Sequence, residues 1–158
     1  MNLHFYPEKQ TLILGVEEIS IPEQIQRFAN KDNLIKKSEF HITLVGNRTG
    51  EIILEKIAES NIAIEKLLNL GKKYNWDFSY IDKYYYMQKD YDDHTRHSII
   101  QPITLPDLEK FYDDLEQVYG LSFSRPYPHI TYFAKGDKNQ GIGIYSHTDF
   151  EKFKKQQL

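Results

Sequence analysis

Two kinds of apolar spacing alternate along the chain. Apolar residues every three or four positions predict helix, and alternating or short continuous apolar runs predict strand. Residues 11–16 read as a strand, and Ile21-Pro22-Glu23 opens a short helix through Phe28, with proline suited to a first turn. Residues 31–37 form a polar connection, residues 39–45 a second strand, and Gly46-Asn47-Arg48-Thr49-Gly50 a turn signal. From 51 to 75, Ile53, Ile57, Ile64, Leu67 and Leu68 fall at helical spacing, with a break at Ser60-Asn61.

The period then changes. Residues 76–81 and 83–91 are aromatic-rich strand runs, Asp92-Asp93-His94-Thr95 is a tight turn, and 96–103 is another strand. Pro106-Asp107 begins a helix on which Leu108, Phe111, Leu115, Val118 and Tyr119 form one stripe, closed by Gly120. After the proline-rich approach Arg125-Pro126-Tyr127-Pro128 comes a further strand, then a strand at 141–145 and a helix at 149–155 with a solvated lysine face. The two halves repeat the order strand, helix, strand, which suggests a pseudo-repeat.

Length and charge narrow the picture. A chain of 158 residues buries well over half of its unfolded surface yet is too short for two large domains, so residues 1–158 are expected to form one domain. A net charge of −3 argues against a surface that tracks duplex DNA, because such binding rests on many Lys and Arg contacts. No cysteine is present, which leaves no disulfide, thiolate metal site or thiol nucleophile. The first residues are unlike a secretory signal, and no apolar run approaches bilayer length, so a cytoplasmic protein is expected.

Two of the strands carry the same tetrapeptide pattern: His41-Ile42-Thr43-Leu44 and His129-Ile130-Thr131-Tyr132, with the histidines 88 residues apart. Six histidines and seven threonines scattered over this length would give about 0.3 His-x-Thr pairs. One copy alone is commonly just the polar face of a sheet; two with matching flanks point to a shared purpose. Side chains alternate along a strand, so His41 and Thr43 share a face and Phe40, Ile42 and Leu44 the other. In the second copy His129, Thr131 and Phe133 share a side. Two imidazoles that titrate near neutral pH and two hydroxyl donors equip one cleft for cleaving a phosphodiester.

The paired motif resembles the 2H phosphoesterase superfamily, which includes 2′,5′-RNA ligase-like proteins, cyclic nucleotide phosphodiesterases, 2′,5′-oligoadenylate-cleaving enzymes and phage enzymes that degrade cyclic nucleotide signals. The resemblance implies an α+β, two-lobed, pseudo-symmetric fold of antiparallel sheets flanked by helices, with a motif strand from each lobe lining a central groove. It implies a metal-independent hydrolase, without cofactor, acting on a 2′-linked or cyclic phosphodiester of a nucleotide or RNA end. His41 and His129 would be its general acid and base, and Thr43 and Thr131 would bind the non-bridging oxygens. No ATP-binding or covalent-lysine motif is visible, which favours hydrolysis over ligation. A nucleotide- or RNA-binding module that has lost catalysis, and an enzyme degrading cyclic dinucleotides, are the alternatives. Pro128 before His129 departs from the apolar residue of the pattern and fixes the entry to that strand.

Substrate contacts are nominated less sharply. Phe133 could stack on a base, and Arg96, Arg125 and Lys135 flank the motifs and could pair with phosphate. His94 and His97 with Asp92 and Asp93 look like metal ligands but occupy a turn, where polar residues belong anyway, so no metal site is assigned. The order of acid and base, the substrate and the oligomeric state stay open.

Overall fold

Ile42 and Ile130, the central residues of the two motifs, face each other across a pair of antiparallel strands. Both are fully buried. The computed structural model that shows this describes residues 2–57, 59–136, 138 and 140–158, with the backbone alone of Ser60. Among them the chain is α+β, with nine strands and five helices. The strands are β1 (Leu3–Tyr6), β2 (Thr11–Val16), β3 (Ile35–Lys36), β4 (Phe40–Val45), β5 (Ser79–Tyr80), β6 (Tyr85–Asp90), β7 (Thr95–Thr104), β8 (His129–Lys135) and β9 (Lys154–Gln157). The helices are α1 (Glu23–Lys31), α2 (Asn47–Lys56), α3 (Ser60–Gly71), α4 (Asp107–Tyr119) and α5 (His147–Phe153). Every strand pair is antiparallel, in the order β1-β2-β4-β8-β7-β6-β9, with β3 on β8 and β5 on β7. The motif strands β4 and β8 thus lie side by side in mid-sheet.

The two faces of this sheet differ. Ile42, Leu44, Ile99, Ile130 and Tyr132 join the larger core, to which the first four helices contribute Ile25, Ile53, Leu67 and Phe111 among others. Met87 and Ile100 face a smaller cluster with Ile142, Ile144 and the α5 residues Phe150 and Phe153. The hydroxyl and imidazole positions of both motifs alternate to this second face.

Each motif strand carries a β-bulge just after its threonine. On β4 the partners of Leu12 and Ile13 are Val45 and Thr43, so Leu44 is the extra residue. On β8 the partners of Ile99 and Ile100 are Phe133 and Thr131, so Tyr132 is extra. A bulge breaks the alternation of side chains, which turns both Leu44 and Val45, and both Tyr132 and Phe133, into the larger core. It also leaves backbone groups without a ladder partner. The Leu44 carbonyl accepts from the buried Tyr112 hydroxyl at 2.8 Å, and the Tyr132 carbonyl from the Lys37 N–H at 2.8 Å. Tyr112→Phe removes the first bond, and a buried acceptor left bare costs about 1–3 kcal/mol. Urea titration should show a lower midpoint with an unchanged slope.

Several boundaries differ from expectation. The 46–50 segment is not a turn: Asn47 begins α2, and Gly50 is there because a Cβ would overlap the Gln10 carbonyl oxygen. The helical stretch from 51 breaks earlier than Ser60, where Ile57 turns extended, and Ser60 starts α3; position 58 lies outside the described residues. Trp76 does not start a strand; it has φ of +60°, is buried, and its indole N–H donates to the Gly71 carbonyl at 2.8 Å. Gly120, at φ +66°, ends α4 as expected. Residues 141–145 pair with no strand, although the Tyr127 N–H reaches the Ile144 carbonyl at 3.2 Å. Helix α5 starts two residues early because Ser146 caps it, accepting from the Asp149 N–H at 3.1 Å, and Lys154 leaves it for β9 rather than prolonging it.

Candidate active site

Proximity of the motifs follows from the register. With Ile42 opposite Ile130, the flanking His41, Thr43, His129 and Thr131 all turn to the face away from the larger core, and all four line one pocket of about 490 Å³. Its walls are completed by the β1–β2 turn (Glu8, Lys9, Gln10), by Lys37, by Gly46 and Asn47 at the start of α2, by Arg96 of β7, and by the 140–145 segment. That segment, read as a strand, is instead a cover, with Gly141 lying against Thr131.

Each histidine has a distinct setting. The His129 ring is half-buried and its Nδ1 lies 2.6 Å from the Tyr127 carbonyl. A carbonyl only accepts, so Nδ1 carries the proton and Nε2 is left for the pocket. Burial lowers the pKa of His129, and the bond to the Tyr127 carbonyl opposes that shift. His41 is held down to about 4, first by burial, with Lys37, His129 and Lys9 adding to the effect and Glu39 opposing it. Its Nδ1 is buried without a hydrogen-bond partner among the described residues. Both shifts favour the neutral ring at neutral pH, and an anion placed between the rings would favour their charged forms.

The pocket is electropositive in a chain of net charge −3. Among its described lining residues, Lys9, Lys37 and Arg96 stand against the single carboxylate of Glu8. Helix α2 starts at its edge, where Gly46 and Asn47 line the pocket and no side chain among the described residues caps it, so the positive end of its dipole lies at the same space. Arg96 donates to the Gly141 carbonyl at 3.4 Å and lies 4.6 Å over the Tyr91 ring. Lys37 is half-buried, and its pKa is lowered by burial and by Lys9.

Of the nominated substrate contacts, Arg96 alone is at the pocket wall. Phe133 is 4% exposed and belongs to the larger core; the bulge at Tyr132 turns it away from the face of Thr131. Arg125 is held by Glu109, Asp113 and Glu116 at 2.8–3.1 Å and fastens the loop after α4 to that helix. The Lys135 ammonium donates to the Asp32 carbonyl at the end of α1, 3.0 Å away. The polar cluster at the β6–β7 turn is engaged locally: His94 pairs with Asp93 and stacks on Tyr91, and Nδ1 of His97 meets the Tyr86 hydroxyl at 2.6 Å.

Lys9, Lys37 and the 140–145 cover were not singled out from sequence. Lys9 had a signal: Leu3–Tyr6 and Thr11–Val16 flank a four-residue connection opened by Pro7, which reads as a hairpin turn. Lys37 had none: its backbone is held at the pocket by a bond to the Tyr132 carbonyl that only the folded chain makes. Compared with known proteins, the chain matches no family model, no curated protein and no solved structure.

Proposed function

We propose that this protein is a metal-independent phosphodiesterase that hydrolyses a 2′-linked or cyclic phosphodiester of a nucleotide or RNA end. The observation that carries the reading is the meeting of two His-Ile-Thr motifs across one Ile42–Ile130 pair, with all four polar side chains in one electropositive pocket. The bulge shared by both motifs further supports a pseudo-symmetric site, because the same irregularity follows each threonine.

Chemistry follows from the settings of the rings. An imidazolium in a buried site needs an acceptor for each N–H. His129 has one in the Tyr127 carbonyl, so it can present its second N–H to the leaving oxygen as general acid. His41, with no Nδ1 partner among the described residues, is the neutral ring and takes the proton from the attacking water. The new P–O bond forms on one side of phosphorus as the old one breaks on the other. Thr43 and Thr131 donate to the non-bridging oxygens, while Arg96 and the start of α2 stabilise the charge gathering there.

The test uses EDTA-treated protein and a panel of 2′,3′-cyclic nucleotides, 2′,5′-linked oligoadenylates and cyclic dinucleotides. At least one class should be cleaved with the chelator present. Binding without cleavage across the panel would leave a binding module in place of an enzyme, and turnover restored only by added metal would refute metal independence.

A further inference from the structure

Pro128, which departs from the motif pattern, leads from the pocket to a residue outside it. Pro126 and Pro128 flank Tyr127, whose carbonyl holds Nδ1 of His129. The proline at 128 fixes its own φ and keeps the residue before it extended, so few free torsions are left to aim the Tyr127 carbonyl. That aim matters for the ring. In a neutral imidazole one nitrogen carries the proton and the other only accepts. Facing a carbonyl oxygen at 2.6 Å, Nδ1 has to be the protonated one, because the other tautomer would set two lone pairs against each other. After giving up a proton from Nε2, His129 is left as this same Nδ1–H tautomer.

Tyr127 is pinned on its remaining sides by the smaller core. Its N–H donates to the Ile144 carbonyl at 3.2 Å, and the next carbonyl along, that of Pro128, accepts from the Ile103 N–H at 3.1 Å. The Tyr127 ring lies flat against Phe150 of α5, with centroids 4.1 Å apart and planes 10° from parallel. Phe150 is itself immobilised. It is 3% exposed, Tyr85 of β6 packs on it nearly at right angles with centroids 5.1 Å apart, and Met87, Ile100, Ile142 and Ile144 complete the cluster around it. Phe150 does not line the pocket, yet it is two contacts from Nδ1 of His129.

We infer that Phe150 is a positioning residue for His129: by stacking on the Tyr127 ring it holds the carbonyl that keeps the neutral imidazole as its Nδ1–H tautomer, with Nε2 open to the pocket. The use of His129 as general acid rests on the function proposed above; the tautomer and its support do not. Helix α5 thereby acquires a task beyond closing the smaller core, since the same ring that packs it also aims a group of the site.

The experiment reads the tautomer by long-range nitrogen–proton NMR on protein labelled at its histidine nitrogens, at a pH of about 8, where imidazole rings are neutral. The His129 signals are assigned by their loss in His129→Asn. The parent protein should show the Nδ1–H form. Phe150→Ala should raise the share of the Nε2–H form about tenfold, as loss of one neutral hydrogen bond allows. Tyr127→Ala should do the same, because it keeps the carbonyl and loses only the stack. Tyr127→Phe, and Phe153→Ala, a deletion in the same core that leaves the stack intact, should not change it. The His129 pKa is a poorer gauge, since losing the bond lowers it and exposing the ring raises it. On any diester that the parent cleaves, Phe150→Ala should lower kcat by about 10- to 100-fold with KM little changed, the range seen for groups that orient a working histidine. A tautomer unchanged in either ring-deletion variant overturns the inference, and so does an equal change in Phe153→Ala, which would make general loosening the cause. If Phe150→Ala does not fold, Tyr127→Ala decides alone. The expected tautomers in a protein that cleaves no member of the EDTA panel would uphold the positioning and refute the enzyme.

Discussion

Alanine at position 129 is expected to lower kcat by about 10³-fold on a nucleotide diester whose leaving group is a ribose alkoxide, the range for loss of a general acid. On an ester with a p-nitrophenolate leaving group the same variant should lose less than about tenfold, because that group departs without a proton. His41→Ala should lose about 10³-fold on both, since the attacking water needs a base whatever leaves. The difference originates in one hydrogen bond. The Tyr127 carbonyl, 2.6 Å from Nδ1 of His129, supports the charged ring, and His41 has no counterpart among the described residues. The double variant should be no slower than the slower single one, because the two rings act on one transition state. Stopped assays on both esters decide it. Rescue of His41→Ala instead of His129→Ala would reverse the roles, and full activity in both variants would end the two-histidine mechanism.

Local pattern made much of this site legible. Strand parity placed His41 with Thr43 and His129 with Thr131, and the apolar Ile42 and Ile130 between them predicted a buried face. Parity failed at Phe133 because a bulge is set by how a strand pairs with its neighbour, here β7, and nothing in His-Ile-Thr-Tyr-Phe announces one. The glycines at 46 and 50 misled for a related reason. They read as a turn, yet the glycine at 50 is dictated by a carbonyl from a distant hairpin. Arg96 and Arg125 look alike in sequence; one reaches the pocket, while the other meets three carboxylates at positions 109, 113 and 116 of α4, which only the folded chain brings to it. The edge strand β9 escaped notice because Lys-Lys-Gln-Gln carries no alternation, and β1 because four residues are too few to establish a period without the hairpin turn that follows them.

Acid should weaken the fold through His41, independently of what the protein does. The ring has a pKa of about 4 when folded and about 6.5 when the chain is open, so between these values the unfolded chain binds the extra proton. Stability therefore rises with pH through this window, is complete above about 6.5, and falls as pH drops toward 4. Integrated over the window, the loss at pH 4 relative to pH 7 is about 3 kcal/mol, a large share of the roughly 5–15 kcal/mol that holds a domain together. Burial acts on His129 in the same direction, so the isolating comparison is with His41→Asn, which cannot take the proton. Urea titrations at pH 7 and pH 4 should show the parent protein losing about 3 kcal/mol more than the variant. Equal losses would mean that the His41 ring is hydrated rather than buried. Inorganic phosphate in the pocket should shrink the difference, since an anion beside the ring raises its folded pKa and an occupant of the native state stabilises it. The burial that makes His41 a liability in acid is what keeps it unprotonated, and able to accept a proton, at neutral pH.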